Sequence, residues 1–354
     1  MNPNNYLIIM AGGIGSRFWP MSTAETPKQF LDILGTGKTM IQQTVSRFGD
    51  LVPIENIFIV TSKNYQAIIQ DQLPDISDSQ VLLEPCMRNT APCIAYAAYK
   101  IYKRNPEANI VVAPSDHLIT DESGFRDVVS KGLEFTSKDD VLLTLGIHPH
   151  RPETGYGYIQ ADSEAVSGIN KVAAFKEKPD LETANGYLAE GNFFWNAGIF
   201  LWSAKSIITS FVSHLPKVAA LFAKGEEKYD TENEQVFIDE NFPSCENISV
   251  DYGIMERADN IYVMPADFGW SDLGTWGSLW EKRSKDENGN SVVGDQVHLF
   301  ECKDTIVTVP NNRPVVLQGL DDCIVTEANG VFMVCKKEDE QRIKEFRSVV
   351  IDHK

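Results

Sequence analysis

Short apolar runs of strand length recur along the first 150 residues, and each ends where polar residues begin. Tyr6-Leu7-Ile8-Ile9-Met10, Ile57-Phe58-Ile59-Val60-Thr61, Val81-Leu82-Leu83-Glu84-Pro85, Asn109 to Pro114 and Val141 to Gly146 are too continuous to alternate and too short to be helices. They read as strands buried on both faces. Segments of helical spacing lie between them: Thr39 to Phe48, Asn64 to Leu73, and a helix opened by Asn89-Thr90-Ala91-Pro92 whose stripe is Ile94, Ala97, Ala98, Ile101 and Tyr102. Such alternation predicts an α/β fold with a mainly parallel, doubly covered sheet that binds ligands at the carboxyl ends of its strands.

A chain of 354 residues exceeds one comfortable core, so a large domain over residues 1–284 and a small one over 285–354 are expected. The boundary falls at Glu287-Asn288-Gly289-Asn290. Beyond it, Ser291 to Val293, Thr305 to Val309, Val315 to Leu317, Cys323 to Val325 and Val331 to Val334 predict a small β-rich domain or partial β-helix. Such a domain needs a covering surface, supplied by the large domain or by a second subunit in a homodimer. Glu338 to Val349 reads as a closing helix.

The first strand runs directly into Ala11-Gly12-Gly13-Ile14-Gly15-Ser16-Arg17-Phe18-Trp19-Pro20, followed by Pro27-Lys28-Gln29-Phe30. Glycines there let backbone N–H groups approach an anion. Arg17 supplies a fork for phosphate oxygens and Lys28 a mobile point charge. Two commoner phosphate signatures do not fit. A dinucleotide fingerprint requires a small residue where Phe18 stands. A Walker loop ending in Gly37-Lys38-Thr39 would need its leading glycine at Asp32. A plain strand-to-helix turn is the alternative, which Arg17 and Lys28 weaken.

The formal charge of −18 argues against a nucleic-acid partner, which would need a basic face. No apolar run approaches the ~20 residues of a membrane span, and no basic segment leads into a signal-like stretch, so a cytoplasmic protein without a membrane partner is expected. The six cysteines show neither zinc spacing nor a close pair. A small anionic substrate remains, met by a local cluster of cations: Arg17, Lys28, Arg88, Lys176 and Lys178.

Several strand ends carry candidate chemistry. Glu84 to Thr90 stands where a base and ribose could be read, although Asn89 and Thr90 are also good helix caps. Ser115-Asp116-His117 ends the next strand. Asp116 suits a magnesium ion facing phosphates, or caps the following helix, and His117 reads as a partner supporting that aspartate or as a satisfied histidine. His148 and His150 lack a third metal ligand. Gly155 and Gly157 flank Tyr156 and let backbone lie against a flat, hydroxylated ring. In Lys176-Glu177-Lys178, Glu177 could accept from hydroxyls while Lys178 neutralises a phosphate, and an exposed charge run is the alternative. Asn196, set among aromatics, needs a partner, for which a sugar hydroxyl or a backbone carbonyl would serve. Asp251 either points at a sugar or caps the helix carrying Ile254 and Met255. Asp272, in Trp270-Ser271-Asp272-Leu273-Gly274, is the second metal candidate or another cap, with Trp276 and Trp280 as core contacts.

Taken in order, the glycine-rich loop with Phe18-Trp19-Pro20, Pro27-Lys28-Gln29-Phe30, Arg88-Asn89-Thr90-Ala91-Pro92, Thr154-Gly155-Tyr156-Gly157-Tyr158-Ile159 and the Trp270–Gly274 turn resemble the sugar-nucleotide pyrophosphorylases. The details are most similar to the mannose-1-phosphate guanylyltransferases, and the likeness runs from Tyr6 to Phe346. Met87 and Cys93 depart from the pattern, where proline and alanine are expected. The resemblance implies a Rossmann-like nucleotidyltransferase domain that makes GDP-mannose and pyrophosphate from GTP and mannose 1-phosphate, with Mg²⁺ on Asp116 and Asp272. It implies nucleotide contacts from Ala11, Gly12, Gly13, Gly15, Ser16, Arg17, Glu84, Arg88, Asn89, Thr90 and Ser115. Sugar contacts would come from Gly155, Tyr156, Glu177, Lys178, Asn196 and Asp251, and catalysis from Arg17, Lys28, Asp116, Lys178 and Asp272. A non-catalytic regulatory relative is the rival, and loss of Arg17, Lys28, Asp116 or Asp272 would have signalled it. Bifunctional members carry a further isomerase domain, for which this length leaves no room, so no isomerase activity is expected.

Overall fold

The computed structural model describes residues 1–13, 15–166 and 168–351; the side chains of Ser16, of residues 163–166 and of residue 351 fall outside that description. Contacts group the chain into two compact units, one of Met1–Gly12, Thr44–Ser115 and Ile119–Trp270, the other of Gly13–Gln43, Asp116–Leu118 and Ser271–Lys354.

Among the described residues the first unit holds one nine-stranded sheet. Val81–Glu84, Ile57–Ser62, Asn5–Met10 and Asn109–Pro114 lie side by side and parallel, as the buried apolar runs predict. Phe193–Ser203 then enters antiparallel between Asn109–Pro114 and Leu142–Ile147. Ile261–Ala266 runs parallel to Leu142–Ile147, and the hairpin of Ile169–Glu177 with Gly157–Val166 completes the order. The sheet is therefore parallel in its first half and mixed in its second. The antiparallel strands are long and return from hairpins or helices, whereas parallel neighbours require a crossover each time.

Helix Thr90–Arg104 buries Ile94, Ala97, Ala98 and Ile101 as its spacing predicts, but Tyr102 is exposed and Tyr96 takes its place in the core. The stripe turns toward Tyr96 because Lys100 is also drawn inward, its ammonium held by Glu234 at 2.7 Å.

In the second unit, Ser291–Val293, Ile306–Thr308 and Cys323–Ala328 stack in parallel, Val331–Lys336 adds antiparallel, and Val297–Phe300 pairs in parallel with Val315–Gln318. Parallel pairing of every second strand is the register of a short β-helix. Val297–Phe300 escapes sequence detection because its residues alternate between half-buried and exposed. Its interior is a valine cluster of Val307, Val309, Val315 and Val325. The opposite face, Ile306, Ile324 and Met333, packs on Phe18, Trp19, Ile33, Trp276 and Ile343. The covering surface that the β-rich segment requires thus comes in part from the glycine-rich loop of the same chain. No helix among the described residues is long and apolar enough to cross a membrane.

Candidate active site

Gly15 begins the site in the second unit. It takes a left-handed φ of 58°, and a side chain there would meet the Cβ of Lys28 at 2.6 Å, so only glycine lets the loop lie against the Lys28 segment. Ser22 donates its hydroxyl to the Gly15 carbonyl and Gln29 donates to the Gly13 carbonyl at 2.8 Å. Phe18 then drops into the core against Trp276, ring centroids 5.4 Å apart, which leaves the adjacent Arg17 exposed.

Lys28 is not the mobile charge that its sequence context suggests. It is 4% exposed, and its ammonium reaches the Asp116 carboxylate at 2.8 Å, the Asp272 carbonyl at 2.7 Å and the Leu273 carbonyl at 3.2 Å. Those three acceptors match the three donors of an ammonium. Leu273 holds the turn in a left-handed φ of 44° and is itself fully buried, so packing sustains a strained backbone that aims two carbonyls at one cation. Burial alone would raise the pKa of Asp116, but Lys28 and then His117 outweigh it and hold the carboxyl below its ordinary range.

Neither candidate metal aspartate serves as a cap. Asp121 caps helix Glu122–Thr136, accepting from Gly124 at 2.9 Å. Thr275 caps helix Trp276–Lys282 with Ser278 in a reciprocal box. Asp272 instead accepts from the Gly274 N–H at 3.0 Å within its own turn. Asp116 and Asp272 share a cavity of about 310 Å³ with Gly15, Arg17, Phe18, Lys28, His117, Leu273, Gly274 and Lys344. Two carboxylates are the hard oxygen donors that Mg²⁺ takes when phosphates and water complete its shell, so the residues fit such an ion. Among the described residues no group of three or more His, Cys, Asp or Glu could hold a metal, so a cation here would depend on its substrate for ligands.

The candidate base-binding residues belong to the first unit. Ala11 donates to the Val60 carbonyl at 2.8 Å and Ser115 to the Met10 carbonyl at 3.1 Å, which fixes the ends of two strands. Glu84 ends the strand Val81–Glu84 and is 7% exposed as a residue; one carboxylate oxygen lies 3.3 Å from where a Cβ on Gly12 would be, and the other has no hydrogen-bond partner among the described residues. Burial pushes its pKa up to about 8. Asn89 caps the following helix, accepting from Thr90 at 2.9 Å, and Thr90 accepts from the Val250 N–H at 2.9 Å. Arg88 places its guanidinium on the Pro243 carbonyl, at 2.6 and 3.1 Å. Capping is realised for Asn89, then, while Glu84 is the group left without a full set of partners.

The candidate sugar residues also lie in the first unit and form one cluster. Glu177 ends its strand, and Lys178, at φ 46°, turns back to pair with it at 2.7 Å. Gly157 allows this, since a side chain there would meet the Glu177 carboxylate at 2.5 Å. Asn196 finds its partners in side chains and one backbone N–H rather than in a backbone carbonyl. Its amide donates to Asp251 at 2.7 Å, and its oxygen accepts from Thr144 at 3.2 Å and from Gly198 at 3.1 Å. Asp251 opens a π-helical turn, Asp251–Met255, rather than capping an ordinary helix. Burial raises its pKa to about 6 against the hydrogen bond from Asn196, with Glu177 adding to the rise. Tyr156 packs edge-on between Trp195 and Trp270.

A family model described as Nucleotidyl transferase matches residues 6–289. The chain belongs to the nucleotidyl transferase family. Among curated members, the alginate biosynthesis protein AlgA of Pseudomonas aeruginosa is 34% identical over 345 residues, covering 95% of this chain and 70% of the relative. The mannose-1-phosphate guanylyltransferase of Escherichia coli is 36% identical over 352 residues, covering 95% of this chain and 73% of the relative. A solved structure from Thermus thermophilus, titled mannose-1-phosphate geranyltransferase, superposes with a TM-score of 0.88 at 28% identity over 98% of this chain and 99% of that one.

As a nucleotidyl transferase the chain is an enzyme whose sequence motifs fall into distinct clusters. Arg17, Lys28, Asp116 and Asp272 line one cavity, Glu177, Lys178, Asn196 and Asp251 make a second group, and the side chain of Ser16 lies outside the described residues. Sequence reasoning missed Thr144, which looks like any strand threonine, and Lys344, which sits in a charged helix without a motif.

Proposed function

We propose that this nucleotidyl transferase is a mannose-1-phosphate guanylyltransferase, which makes GDP-mannose and pyrophosphate from GTP and mannose 1-phosphate. The observation that carries the reading is the cavity in which Gly15, Arg17, Lys28, Asp116 and Asp272 meet, taken with the likeness to the mannose-1-phosphate guanylyltransferase of Escherichia coli. An oxygen of the sugar phosphate attacks the α-phosphorus of GTP in line, the new P–O bond forms, and the bond to the β-phosphate oxygen breaks to release pyrophosphate. A phosphate is already a nucleophile, so positioning and charge neutralisation suffice. Asp116 and Asp272 would hold Mg²⁺, which when bound neutralises charge on the phosphates. Arg17 offers a fork to the leaving pyrophosphate. Lys28, fixed between Asp116 and the Asp272–Leu273 carbonyls, holds the aspartate in place and keeps it ionised.

Guanine presents two neighbouring donors, N1–H and the amino group, and Glu84 offers a buried carboxylate with an unused oxygen. That supports GTP over nucleotides whose base carries an acceptor there. Glu177 and Asp251 serve as acceptors for sugar hydroxyls, and Lys178 guides the sugar phosphate. Gly157→Ala would push Glu177 aside. It is expected to raise the KM for mannose 1-phosphate by about tenfold, the worth of one misplaced charged hydrogen bond, with the KM for GTP unchanged.

The reaction is tested by pyrophosphate release in the presence of Mg²⁺, offering mannose 1-phosphate with GTP, ATP, UTP, CTP and dTTP, then glucose 1-phosphate with GTP. Turnover only with mannose 1-phosphate and GTP is the expected result. Turnover with another pair would keep the nucleotidyl transfer and overturn the specificity; none at all, with GDP-mannose still bound, would make the protein a regulatory relative.

A further inference from the structure

The cavity that holds Lys28 has two other cations on its wall, Arg17 and Lys344. Lys28 spends its three donors on Asp116 and two carbonyls. Among the described residues neither Arg17 nor Lys344 makes an ion pair or a side-chain hydrogen bond, in a chain where 50 acidic residues face 32 Lys and Arg. The obvious partner for Lys344 is Glu340, one turn earlier, yet that carboxylate accepts from the Gly277 N–H at 2.8 Å. A cation left unpaired beside a cavity in so acidic a protein awaits an anion.

Its position is fixed by the residues around it. Lys344 is the second residue of helix Ile343–Ile351, and Ile343 is fully buried in the cluster that contains Phe18 and Trp19. Phe346 and Val350 pack against the same cluster, and Asn329 donates to the Pro20 carbonyl at 2.8 Å. The helix is therefore locked onto the loop that carries Arg17. One residue beyond Ile343 the helix has turned by 100°, which brings Lys344 from the core to the cavity wall.

We propose that Lys344 is a substrate-binding residue that holds, together with Arg17, the β- and γ-phosphates of the nucleotide and the pyrophosphate formed from them. The closing helix is then part of the active site as well as a cover for the β-rich segment. This rests on the reading of the cavity as a phosphate site. A flexible ammonium suits a group that must grip a triphosphate and then release a diphosphate, because it binds as a point charge without a fixed geometry.

The test uses the full-length protein and inorganic pyrophosphate with Mg²⁺ as the probe, by calorimetry, alongside the KM for GTP. Lys344→Ala is expected to weaken pyrophosphate binding and raise the KM for GTP by about fivefold to tenfold, the scale of one exposed charged contact. The kcat should stay within about twofold, and Lys344→Arg should recover most of the loss. Equal pyrophosphate binding by Lys344→Ala and the unaltered protein, with the latter active, would overturn this proposal alone. Loss in both Ala and Arg variants with a lowered melting temperature would also overturn it, since the helix would then matter only for stability. An unaltered protein that neither binds pyrophosphate nor turns over would remove the phosphate reading itself.

Discussion

Asp272→Asn is expected to lower kcat by about 10²- to 10³-fold, the usual cost of one group that stabilises transition-state charge. Its melting temperature should stay within about 2 °C of the unaltered protein. The contrast arises from which atoms of Asp272 support the fold. Its backbone carbonyl receives Lys28, and its Oδ1 receives the Gly274 N–H. Asparagine keeps both of these acceptors while it removes the charge. Asp116→Asn should be equally inactive but also less stable, because it strips the carboxylate from a lysine that is 4% exposed. Breaking a buried pair costs ~3–5 kcal/mol, reduced here to about 1–3 kcal/mol because the Asp116 side chain is 32% exposed. Thermal melts and steady-state rates on the two variants separate these effects. More than about a tenth of normal turnover in Asp272→Asn would sink its proposed role.

Glu84→Gln should alter both stability and base choice. The carboxyl of Glu84 titrates near pH 8 in the folded protein, raised by burial from an unperturbed 4.5. A raised pKa means that the folded state holds the proton more tightly than the unfolded state. Its contribution to stability is fully present below pH 4.5 and is lost as pH rises through 8. The slope is at most about 1.4 kcal/mol per pH unit, for a total on the order of 5 kcal/mol over the 3.5 units between 4.5 and 8. Glutamine has no proton to lose, so the variant should gain stability relative to the unaltered protein as pH rises from 5 to 9, as urea midpoints at each pH would show. With nucleotide the comparison reverses. Donors from guanine favour the ionised carboxylate, so GTP binding near neutral pH should release a proton, visible in calorimetry as a dependence on buffer ionisation heat. Glu84→Gln should abolish that release and cut the preference for GTP over ATP by about 10²-fold or more. A preserved preference would place base recognition elsewhere.

How far the sequence was readable follows from the range of the forces involved. The apolar runs of the first unit and the glycine at position 15 are local patterns, and the strands and the left-handed turn lie where those patterns put them. The pairing of Lys28 with Asp116 joins residues 88 apart in sequence, and no periodicity encodes it. Asn196 was legible as an amide needing a partner, but that partner, Asp251, comes from a π-helical turn with no compositional mark. Lys344 was invisible for a different reason. A lysine in a closing helix resembles every solvated lysine until the burial of Ile343 fixes which way it faces. The fold class was thus written in short stretches, whereas the site depends on contacts that only the folded chain makes.

Grouping the glycine-rich loop with the closing strands and helix has a consequence for the order of synthesis. Phe18 and Trp19 leave the ribosome long before Ile306, Ile324, Met333 and Ile343, against which they pack. The 325 positions between Phe18 and Ile343 take roughly 15–65 s to translate. Through that interval the nascent chain carries an apolar loop whose own packing partners do not yet exist, and the phosphate cavity cannot assemble. Catalytic competence should therefore wait until the closing helix has been made and docks.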